Sequence, residues 1–147
     1  MSTAAPYFST NLDVPPKDMV PELSRSARSI DIWAALHSMG KSGLNDLIER
    51  CCRHAVFAAE LLINEGFEVL NDVVLNQVVV SHPQNEDQLE ELTKRVCATG
   101  ETWFGVTYWQ GRSGFRMSFS SWVTSDDDVI RSVGAILTEA KAMGIID

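Results

Sequence analysis

Thr102-Trp103-Phe104-Gly105-Val106-Thr107-Tyr108-Trp109-Gln110-Gly111-Arg112-Ser113-Gly114-Phe115-Arg116-Met117-Ser118-Phe119-Ser120-Ser121-Trp122 is the stretch that decides the fold class. Two aromatic and β-branched runs, Thr102 to Trp109 and Phe115 to Trp122, flank Gln110-Gly111-Arg112-Ser113-Gly114. That pattern predicts an antiparallel hairpin with a long, glycine-bearing loop. In the second run Phe115, Met117 and Phe119 fall on one face by strand alternation. Arg116, Ser118 and Ser120 fall on the other.

Working outward, the same sheet finds further strands upstream. Phe67-Glu68-Val69-Leu70 and Leu75-Asn76-Gln77-Val78-Val79-Val80 read as strands separated by the turn pair Asn71-Asp72. Pro83 and the acidic run Asn85 to Glu91 open a helix through Val96, with a stripe of Leu89, Leu92 and Val96 and a stop at Gly100. Downstream, Thr124 or Ser125 caps a last helix with Asp126, Asp127 and Asp128 in its first turn. Upstream of the strands, Ser24 caps a helix to about Met39, and Gly40-Lys41-Ser42-Gly43 turns the chain. Ser42 caps a second helix, whose wide apolar stripe from Leu44 to Ile63 stops at Gly66. The order α-α-β-β-α-β-β-α implies an α+β domain: a small antiparallel sheet with helices packed mainly on one face.

Residues 1–23 hold Pro6, Pro15, Pro16 and Pro21 and read as an extended arm, with the small domain expected over 24–147. Tyr7, Phe8, Leu12, Val14, Met19 and Val20 make that arm too apolar for a solvated tail.

The chain has 147 residues, 45% hydrophobic and 22% charged, which is the balance of a globular domain with one core. A net charge of −8 argues against a nucleic-acid partner, because phosphate-backbone binders present a basic face. No apolar run approaches the ~20 residues of a membrane span. The first residues show neither a charged nor an apolar leader segment, and three cysteines make no disulfide framework. A cytoplasmic location is therefore expected.

No catalytic, cofactor-binding or metal-binding set emerges from residue type and spacing. Cys51, Cys52 and His54 lack the spacing that clamps zinc, and Cys97 stands alone. His37, His54 and His82 fall in no ligand motif, and each reads as structural or surface. The Asp126-Asp127-Asp128 run lacks the alternation of a calcium loop and is explained by the helix dipole. Arg116 is the exception. A planar guanidinium among small hydroxyls, on a strand otherwise apolar, suits a carboxylate held bidentately. The plainer reading of the same residue is an arginine on the solvent face of a half-buried sheet.

Ser24 to Leu36, Met39-Gly40-Lys41-Ser42-Gly43-Leu44, Ile48-Glu49-Arg50-Cys51, Phe67 to Asn71, Leu75 to Val78, Phe115-Arg116-Met117-Ser118 and Asp128-Val129 form an ordered series. The series resembles the C-terminal small domain of pyridoxal-phosphate-dependent amino-acid decarboxylases. These are the glutamate, aromatic-amino-acid and diaminobutyrate group with the aspartate aminotransferase fold. The resemblance implies that the arm crosses between domains and that Arg116 is substrate-binding, reaching the substrate carboxylate. It implies pyridoxal phosphate as the parent family's cofactor. None is expected on this chain alone, because Lys17, Lys41, Lys94 and Lys141 lack the family's Asp-x-His-Lys context. The chain then reads as a truncated decarboxylase, inactive alone, whose partner is a missing large domain. The alternative is a free-standing module that dimerises or docks on a full-length relative. A homodimer is expected, because the arm and a small domain without its large domain leave apolar surface uncovered.

Overall fold

The computed structural model describes residues 26–147, so the arm over 1–23 and the Ser24 cap lie outside the described residues. The described residues divide into two units, one ending at Met39 and the other Gly40–Asp147.

The elements in chain order are α1 (Arg28–Asn64), β1 (Glu68–Val69), β2 (Gln77–Ser81), α2 (Leu89–Thr99), β3 (Gly105–Trp109), β4 (Arg112–Ser118) and α3 (Asp126–Ala142). A single turn of 3-10 helix, Glu86–Gln88, leads into α2. Helix α1 is two helices joined at a kink, where Gly40 leaves helical geometry at φ 62° and ψ −172°. The predicted break therefore falls on Gly40, but only that residue departs from the helix. The expected Gly-Lys-Ser-Gly turn shrinks to one position. In the first unit, Trp33 stacks on His37 one turn later, with ring centroids 5.0 Å apart.

The second unit carries a four-stranded sheet in the order β1-β2-β4-β3, with every neighbouring pair antiparallel. Pairing of Val78 with Met117 and Val80 with Phe115 puts these four on the core face. Ala55, Ala58, Ala59 and Leu62 of α1, Leu89, Leu92 and Val96 of α2, and Val129, Val133 and Ile136 of α3 pack there in one cluster. The later part of α1, together with α2 and α3, thus packs on one face of the sheet, the expected α+β architecture. Each large apolar side chain so buried contributes roughly 1.5–3 kcal/mol.

The hairpin differs from its expectation. Trp109 pairs with Arg112, so Gln110-Gly111 alone makes the turn, with φ 47° and 85°. Both angles are positive, as a type I′ turn requires. Arg112, Ser113 and Gly114, expected in the loop, are ladder residues because this turn follows the natural strand twist. The strand also stops at Ser118 rather than Trp122. At its far end Asn76 continues the pairing, its side-chain amide donating to the Phe119 carbonyl at 2.8 Å. Gly114 is required by packing: a Cβ there would lie 2.4 Å from the Val80 carbonyl oxygen.

Candidate functional site

Arg116 sits in the middle of β4, paired with Val79 on one side and Gly105 on the other. Phe115, Met117 and Phe119 are buried, whereas Arg116, Ser118 and Ser120 are exposed. The side chain therefore stands on the open face of the sheet, opposite the helices. Gly105 contributes no side chain beside it, and the space where a Cβ would stand is empty to 4 Å. Among the described residues Arg116 has no ion-pair partner.

Arg112, two alternations away on the same face, has the opposite circumstances. Its Nε donates to Glu86 Oε1 at 2.5 Å and its Nη1 to Glu68 Oε2 at 2.7 Å. The hydrogen bond from Arg112 chiefly holds the Glu86 carboxyl below the ordinary glutamate range, and the Ser113 N–H adds to it. Arg112 ties the hairpin tip to β1 and to the turn before α2. Two of its donors are taken, while among the described residues Arg116 makes no ion pair.

Past the end of β4 lies a cleft of about 200 Å³, lined by Trp103, Met117, Ser118, Ser120, Thr124 and Val129 among others. Ser125 caps α3 with a capping box. Its hydroxyl accepts from the Asp128 N–H, and the Asp128 carboxylate accepts from the Ser125 N–H at 2.9 Å. The Ser125 N–H first, and then the Ser125 hydroxyl donating to the same carboxylate at 2.7 Å, hold Asp128 below its ordinary range.

The remaining sequence candidates have structural surroundings. His54 is 1% exposed, and its Nε2 lies 3.0 Å from Asp126 Oδ1 at the start of α3. His82 is buried against Phe67, and its Nδ1 accepts from the Gln84 N–H at 3.3 Å. Cys51 is buried in α1, and the Cys97 thiol donates to the Phe104 carbonyl at 3.6 Å. No group of three or more potential metal ligands occurs among the described residues. Sequence reasoning missed the His54–Asp126 pair and the hydrogen bond from Arg50 Nη2 to the Trp122 carbonyl at 2.7 Å, each joining residues 72 apart. No local pattern signals a contact at that separation.

Pyridoxal phosphate, the cofactor implied by the resemblance, does not fit the described residues by themselves. Lys94 is 65% exposed and pairs with Glu90 one helical turn away. Lys141 is exposed and donates to the Asp147 carbonyl, and Lys41 is exposed. None of these lines the cleft past β4, and neither does Arg116.

No family model matches the sequence, and no curated protein matches it. Solved structures do match. Oryza sativa TDC with PLP and tryptamine aligns at TM-score 0.73 and 22% identity, over 88% of this chain and 30% of that chain. Catharanthus roseus tryptophan decarboxylase in complex with L-tryptophan gives 0.73 and 20%, over 88% and 29%. The glutamate decarboxylase domain of a Vibrio parahaemolyticus diaminobutyrate-pyruvate transaminase and L-2,4-diaminobutyrate decarboxylase gives 0.67 and 15%, over 78% and 26%. This chain therefore has the fold of one portion of these decarboxylases, as the resemblance implied. It spans about 30% of the length of the first solved structures it matches.

Proposed function

We propose that this chain is the small C-terminal portion of a pyridoxal-phosphate-dependent amino-acid decarboxylase, with Arg116 as the anchor for a substrate carboxylate. The observation that carries the reading is the exposed Arg116 side chain, on a sheet face that no helix among the described residues covers, in a fold shared with decarboxylase structures. A fork of N–H donors holds a carboxylate bidentately and fixes its orientation. A large domain supplies the pyridoxal phosphate and its lysine, and the chain alone is inactive. The domain runs over 24–147, with 1–23 as the connecting arm, in a cytoplasmic protein.

Arginine side-chain NMR tests the site directly. On titration with L-glutamate, the Arg116 Nε–H resonance is expected to shift more than that of Arg112, and the response is expected to vanish in Arg116→Met. Equal shifts across the exposed arginines would remove the anchor role.

A second reading, a self-associating module, is favoured by one observation. Trp103, Tyr108 and Trp122 are 82%, 71% and 74% exposed, aromatic surface that association with a second copy would cover.

A further inference from the structure

Strand β3 is an edge of the sheet, paired only with β4 among the described residues. Proteins usually protect such an edge with charge, proline or a bulge. Here no charged residue or proline occurs from Thr102 to Gly111, in a chain of net charge −8. The ladder also says which backbone groups are free. The two-residue turn makes Trp109 and Arg112 a hydrogen-bonded pair, so Thr107 with Gly114 and Gly105 with Arg116 are hydrogen-bonded too. Val106 and Tyr108 alternate with them, and their N–H and C=O groups point outward from the sheet.

From this we infer that the edge of β3 pairs antiparallel with the same strand of a second copy, about a two-fold axis at Thr107. The inference rests on the self-association reading and names its surface. In this register Val106 meets Tyr108 of the second copy, and all the outward backbone groups of both residues are satisfied at once. The side chains agree with it. Val106 opposite Tyr108 is a β-branched and aromatic pair, and Gly105 opposite Trp109 sets the smallest residue against the largest. Shifting the register by one residue would bring the inward-pointing amides of Thr107 to the seam and lose both bonds and pairs. A charged partner has no counter-charge to meet on this run. A second copy meets an equally uncharged strand. Val106, Tyr108 and Trp109 are 54%, 71% and 40% exposed, so pairing removes substantial apolar surface from water.

The test uses the full chain in sedimentation velocity, with circular dichroism to confirm folding. Wild type is expected to be a dimer. Thr107→Lys and Thr107→Glu each place like charges opposite one another on the axis, and each is expected to weaken dimerisation about tenfold or more. Mixing the two variants is expected to restore the dimer. Tyr108→Pro removes an outward donor without touching the β3–β4 ladder, and it is expected to dissociate the dimer as well. In wild type the Val106 and Tyr108 amides should exchange slowly with solvent. A wild-type dimer indifferent to all three substitutions would overturn the edge pairing and leave self-association standing. So would loss in Thr107→Lys without rescue by Thr107→Glu. A wild-type monomer would overturn both.

Discussion

At the scale of single residues, small groups are decisive where the backbone comes close. Gly114→Ala forces a methyl to within 2.4 Å of the Val80 carbonyl, so β2 and β4 must separate. The expected cost is about 1–3 kcal/mol, read as a lowered midpoint in urea. Arg116→Met is the contrast, because the side chain is exposed and lacks an ion-pair partner among the described residues. Its stability is expected to stay within about 0.5 kcal/mol of wild type. A loss of ~3–5 kcal/mol in the same measurement would instead mean a broken buried ion pair and no anchor. Asp126→Ala leaves the buried His54 ring without its partner and is expected to cost about 1–3 kcal/mol.

At the scale of elements, the ends of β4 and α3 are fixed by polar side chains. Ser125→Ala removes the cap of α3, and the expected loss is about 1 kcal/mol in thermal or urea unfolding. The Arg112 bridge gives the hairpin tip a pH dependence with a definite sign. Glu86 is depressed in the folded chain, so its contribution is present above the ordinary glutamate value of 4.5. It is lost as pH falls through the lower folded value. The thermal midpoint of Arg112→Met should therefore lie below wild type at neutral pH, with the gap closing on acidification below that range. A gap that stays constant with pH would mean that Arg112 acts through packing alone.

At the scale of the whole molecule, the described residues offer a sheet with one face filled and the other open, and no lysine set in a cleft for a cofactor. Mixing the purified chain with pyridoxal phosphate, reducing with borohydride and weighing the product is expected to show no stoichiometric adduct on a single lysine. Such an adduct would mean that this chain holds the cofactor by itself, contrary to the proposed division of labour. Among the described residues no helix is long and apolar enough to cross a membrane.

Local periodicity determined a great deal here. Alternation from Phe115 to Ser120 gave both the core face and the outward Arg116, because side chains in a strand must point to opposite sides of a sheet. The start of α3 near Ser125 and the end of α2 at Gly100 were legible because capping acts within a turn. The α1 stripe was legible only in part: Cys51, Ala55, Ala58, Ala59 and Leu62 are buried, but Ile30, Trp33, Ile48 and Ile63 are exposed. The hairpin register was not. Arg112-Ser113-Gly114 looks like loop chemistry, and only the tertiary ladder shows that Gly114 is small to admit the Val80 carbonyl and that Arg112 is held by Glu68 and Glu86. Nor does any spacing bring His54 to Asp126, since the bond depends on α1 and α3 packing on the same face of one sheet. Contacts across 72 residues are set by the packing of finished elements, and no local sequence pattern carries that information.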